Sequence, residues 1–199
     1  MTEAKTLREM AGASPGPPPL EESSLVLIDC QREYTDGKLP LTGVNQALAE
    51  GARVLNAARA AGTPIVHVIH RGQPGGLFDP TGPGGEEVSE IAAAPDEKIV
   101  YKGLPNAFAG TELDEVLKGF GRKNMIAIGF MTHMCVSSTV RAGLDLGYGL
   151  AVVANACATR DLPDGHGGIV SASTLHKAEL AALSDRFASV VDDVSAWNA

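Results

Sequence analysis

The hydrophobic pattern of this chain changes period repeatedly after residue 22. Short, nearly continuous apolar runs at Leu25–Ile28, Pro64–Ile69, Lys98–Tyr101, Asn124–Gly129, Gly149–Ala154 and Ala188–Val191 read as six buried strands. Between them, apolar residues recur at helical spacing in Val44–Ala61, which Gly62 ends, and in Thr111–Phe120 with Thr111 as its cap. Two more such stretches run from about His133 to Leu146 and from Gly168 to Leu183. A strand apolar on both faces must be covered on both, and right-handed crossovers return each connecting helix to the sheet. The pattern predicts a three-layer α/β/α sandwich with a six-stranded, mostly parallel sheet of the Rossmann-like kind.

Two segments break this alternation. Residues 1–22 contain GASPGPPPL, whose prolines and glycines block helix and ladder hydrogen bonding. They are expected to form a flexible N-terminal arm on a single domain spanning 23–199. Between Arg71 and Pro95, GQPGG and TGPGG mark a long excursion, and a loop of that length in a compact domain is usually functional or mobile.

Composition narrows the partners. The chain is 44% hydrophobic and 20% charged over 199 residues, ordinary values for one soluble domain. No apolar run approaches the ~20 residues of a membrane span. A net charge of -8 without a Lys/Arg cluster argues against a nucleic-acid surface and leaves small molecules or proteins as partners. Three cysteines, Cys30, Cys135 and Cys157, are too few for a disulfide framework, and with no leader-like N-terminus they point to a reducing, cytoplasmic setting.

In sheets of this type ligands bind at the carboxyl ends of the strands. Asp29, Lys102 and Cys135 fall there. Cys135 is expected in the first turn of a helix, where free amides and the helix dipole favour a thiolate and can hold an oxyanion. Asp29 could take the thiol proton and return it to a leaving amine, and Lys102 would keep the aspartate ionised. Each residue also has a structural reading, as buried core sulfur, strand-end cap or solvated charge. Their shared sheet edge favours the chemical one.

The remaining polar residues are weighed on the same frame. Cys30 should point away from Asp29, and Cys157 has no helix start behind it, so both read as structural. His67 and His70 lie three apart on one strand, hence on opposite faces, which argues against a two-histidine metal site. His70, at the strand end, could face substrate. Gln31, Tyr34, Phe108, Thr132 and His133 are expected beside it as pocket residues, although a histidine at a helix start such as His133 can equally be exposed. His166 and His176 have no visible partner and read as surface or packing residues, and Trp197 reads as a residue that docks on a neighbour.

The segments LVLIDCQREY, VYKGLPNAF and GFMTHMCVSST together resemble the isochorismatase-like cysteine hydrolases, relatives of nicotinamidase and N-carbamoylsarcosine amidase, over about Ser24 to Val191. The resemblance implies a triad of Asp29, Lys102 and Cys135, a cis peptide joining Phe130 to Met131, and an oxyanion hole from the amides of Met131 and Cys135. It implies no cofactor and no metal, since the Asp-x-His motif of nicotinamidases is missing. Members that retain the cysteine act on amides through a thioester, and many assemble as dimers or tetramers.

The function expected is metal-independent cysteine hydrolysis of a carbon–nitrogen bond in a small amide. Two alternatives stay open: hydrolysis of a cyclic amide or isochorismate-like vinyl ether with Asp29 as acid, and a catalytically silent binding subunit. A dinucleotide oxidoreductase is rejected because no G-x-G-x-x-G follows any strand.

Overall fold

Each of the six apolar runs becomes a strand in the computed structural model, which describes residues 4–14 and 16–197. In chain order the elements are α1 (Leu7–Met10), β1 (Ser23–Ile28), α2 (Val44–Ala60), β2 (Ile65–His70), β3 (Lys98–Lys102), α3 (Leu113–Gly119), β4 (Asn124–Phe130), α4 (Ser137–Asp145) and β5 (Gly149–Ala158). A short hairpin, β6 (Leu162–Pro163) with β7 (Ile169–Val170), precedes α5 (Ala172–Arg186) and β8 (Ser189–Val191). The six long strands form one parallel sheet in the order β3-β2-β1-β4-β5-β8. Order reverses about β1, so β1 and β4 flank the switch point where crossovers leave to opposite sides.

The two covering layers differ in kind. On one face α2 contributes Ala47, Leu48, Val54, Leu55 and Ala58, but Phe78, Val88 and Ile91 of the long excursion complete the same cluster. On the other face the cover is helical: Leu113 and Leu117 of α3, Val140 of α4 and Leu183 of α5 pack on Val26, Val66, Val68 and Val152. The excursion is therefore part of the core as well as a connection.

Helix ends depart from the periodicity. Ile169 and Val170 pair antiparallel with Pro163 and Leu162, so α5 starts at Ala172, after Ser171 caps it by accepting from the Thr174 N–H at 3.2 Å. Thr111 does cap the next helix: its hydroxyl accepts from the N–H of Leu113, the first residue of α3, at 3.2 Å while donating to the Ala107 carbonyl, although Glu112 stands between it and the helix. The stretch expected as one helix from His133 opens instead with a single π-helical turn, Thr132–Val136, before α4. Strand β5 runs on to Ala158 through an irregularity in its pairing with β4 between Ala127 and Gly129.

The arm over residues 1–22 is tied to the body at several points among its described residues. Leu7 N–H donates to Asp185 Oδ1 at 2.8 Å, and the Thr63 hydroxyl donates to the carbonyl of the buried Leu20 at 2.9 Å. Trp197, expected to reach a neighbour, instead donates its indole N–H to the Pro18 carbonyl of its own chain at 2.9 Å.

Candidate active site

Strand register does most of the positioning. Ile28 pairs with Val68 and Gly129, and His70 pairs with Lys102, so four strands end side by side at one edge. Asp29 leaves β1 in the left-handed region (φ 51°), which short acidic side chains tolerate better than most, while its N–H still donates to the Val68 carbonyl at 2.9 Å. Gly129 is the one residue type that fits its position: φ is +115° and a Cβ there would lie 2.1 Å from the Ile28 carbonyl oxygen. Beyond it the Phe130–Met131 peptide is cis, and the π turn carries Cys135 back over the strand ends.

The three residues meet. Lys102 Nζ lies 2.8 Å from Asp29 Oδ2 and 3.4 Å from Cys135 Sγ, and Asp29, Lys102 and Cys135 are respectively 0%, 3% and 4% exposed. The same ammonium reaches His70 Nδ1 at 3.2 Å. The cleft of about 420 Å³ between α2, β5 and α5 is lined by Gln46, Glu50, Asn155, Thr159 and His176 and by no triad residue. Its wall includes the buried Cys157 thiol.

Burial reverses one expectation. The Cys135 thiol is pushed up to about 12, first by burial and then by the neighbouring Asp29 carboxylate, which together outweigh the pull of Lys102. Burial and the carboxylate thus favour the protonated thiol, against the thiolate expected from a helix start. Asp29 is also raised above the usual carboxylate range by burial, against the attraction of Lys102. His70 is lowered to about 4, by burial and then by Lys102.

The expected pocket residues divide. Gln31 is fully buried and spends its amide on backbone, accepting from His70 N–H at 2.9 Å and donating to the carbonyls of His70 at 2.9 Å and Gly85 at 3.0 Å. Tyr34 is core, edge-on to Phe78 and Phe130 at centroid distances of 5.0 and 5.7 Å. Phe108 stacks on Tyr148. Thr132 is buried, and its hydroxyl is shared between the Ala158 carbonyl and His176 Nδ1, so His176 has the partner that its sequence position did not reveal. His133 engages the Thr159 hydroxyl through Nδ1, while its Nε2 has no partner among the described residues.

Sequence reading missed the frame around the site. His67 is fully buried between Glu87 and Glu97, at 2.6 and 3.0 Å, and Arg59 also grips Glu97. These partners lie 20 and 30 residues from His67, beyond any local spacing rule. Glu179 likewise holds Ser137 and Arg141 at the start of α4. Among the described residues no three His, Cys, Asp or Glu side chains are grouped so as to hold a metal ion.

The isochorismatase domain pattern matches residues 23–193. The chain belongs to the isochorismatase family. This isochorismatase-family protein is 41% identical to an isochorismatase from Pseudomonas putida KT2440 whose crystal structure superposes with a TM-score of 0.91, covering 96% of this chain and 97% of that one. It is 35% identical to the secreted isochorismatase effector Isc1 of Verticillium dahliae over 94% of this chain and 96% of the relative. It is also 28% identical to the ureidoacrylate amidohydrolase RutB of Stutzerimonas stutzeri over 68% of this chain and 69% of that protein. No described helix of the family member in hand is long and apolar enough to cross a membrane. Since Isc1 is secreted, family membership does not place the chain in the cytoplasm.

Proposed function

We propose that this protein is a metal-independent cysteine hydrolase that cleaves a carbon–nitrogen bond of a small amide through a thioester. The observation that carries this reading is the buried contact of Lys102 Nζ with both Asp29 Oδ2 and Cys135 Sγ. Similarity to an amidohydrolase supports the bond type. Because sulfur and carboxylate both lie above their ordinary values, the thiol proton passes to Asp29 as sulfur attacks the carbonyl carbon. Asp29 then protonates the leaving nitrogen, and in the second half it accepts a proton from the water that opens the thioester. The amides of Met131 and Cys135 are assigned to the oxyanion and His133 Nε2 to a polar group of the substrate. Three free, buried cysteines support a reducing compartment as the place of action.

The test is ammonia release from a panel of small amides, ureides and lactams by the unaltered protein and by Cys135→Ala. Release abolished by the substitution is the expected result. A raised Asp29 also suits an acid that protonates an ether oxygen, so activity surviving in Cys135→Ala would assign the reaction to Asp29 alone.

A further inference from the structure

Lys102 carries three N–H donors, and its side chain is fully out of water, so each donor needs an acceptor. The triad supplies two, Asp29 Oδ2 and Cys135 Sγ. The third contact is His70 Nδ1 at 3.2 Å. A nitrogen facing an ammonium must present its lone pair, so the imidazole proton belongs on Nε2. His70 is itself held from outside the triad: the Gln31 amide binds both its backbone N–H and its carbonyl, and the Phe78 ring packs on the imidazole at 5.0 Å.

We propose that His70 is a positioning residue: a neutral imidazole, protonated at Nε2, whose Nδ1 takes the third N–H of Lys102 and so aims the ammonium at Asp29 and Cys135. The proposal rests on the triad reading above. Without that acceptor the ammonium turns to satisfy its third donor elsewhere, and the sulfur loses its cation. Gln31 belongs to the same device, since it fixes the strand end from which the imidazole projects. The burial that holds His70 down to about 4 keeps Nδ1 an acceptor across the neutral range.

The test needs no known substrate. Iodoacetamide labelling of the Cys135 peptide, followed by mass spectrometry from pH 6 to 10, is compared for the unaltered protein, His70→Phe, His70→Asn and Lys102→Met. His70→Phe is expected to slow labelling about 10-fold, the size of one hydrogen bond to a charged group. His70→Asn, whose amide oxygen can accept from Lys102, should restore most of the rate. With any amide that proves to be turned over, the loss should fall on kcat rather than KM. Labelling by His70→Phe at the unaltered rate or faster, or a loss confined to KM, overturns the proposal. If Lys102→Met also labels normally, the triad reading fails with it; if Lys102→Met is slow while His70→Phe is not, only the role of His70 fails. Should His70→Phe not fold, His70→Ala gives the same comparison.

Discussion

Burial beside a carboxylate favours the protonated form of the Cys135 thiol, and that bears on how it can work. Its labelling by iodoacetamide should climb through pH 9 and on toward a midpoint near 12, with no plateau at neutral pH. A plateau between pH 5 and 8 would mean a stored thiolate and would contradict this account. In the proposed mechanism the base in kcat/KM is Asp29, which must be ionised to accept the proton. Since its value is raised above the ordinary 3.8, activity should fall on acidification at a pH above that value. An acid limb at or below 3.8 would remove Asp29 as the base. The positions of these residues were legible in the sequence, because strand ends can be read from apolar runs. Their protonation was not, because it depends on how deeply side chains from three separate strand ends are buried together. The same holds for Gln31 and Thr132, which look like pocket residues in sequence but are consumed by backbone and His176 contacts.

At the scale of elements, the junction of β1 and β4 is the least forgiving. Gly129→Ala would drive a methyl into the Ile28 carbonyl and force a left-handed residue to carry a side chain, so chemical denaturation should show a loss of about 3 kcal/mol or more. A loss below ~1 kcal/mol would mean that the strands can part without cost. The excursion after β2 is fastened along its length. Glu33 accepts from Phe78 N–H, Gln31 donates to the Gly85 carbonyl, and His67 bridges Glu87 and Glu97. His67→Leu leaves two carboxylates facing a hydrocarbon and should cost ~3 kcal/mol, with proteolysis opening first between residues 71 and 97. Cleavage elsewhere, at unchanged stability, would show the bridge to be idle. The strands could be read from sequence because burial on both faces leaves continuous apolar runs. The start of α5 could not, since the Ser171 cap and the pairing of Ile169 with Pro163 override an unbroken helical pattern.

Across the whole molecule, the two covering layers explain the part played by the Pro18–Leu20 stretch and the tail. One face is closed by three helices, whereas the other relies on α2, the excursion and the terminal segments that meet at Trp197 and Pro18. Trp197→Phe keeps the ring but removes the N–H, so it should cost ~1 kcal/mol and raise hydrogen exchange in residues 16–22. Exchange unchanged in that segment would mean that the indole N–H anchors nothing. That meeting of tail and arm also makes the start of the polypeptide a matter of choice. A short glycine–serine joint from residue 197 to residue 18, with new ends opened at the exposed tip Gly165–Gly167, would yield a circular permutant with every strand of the sheet still in place.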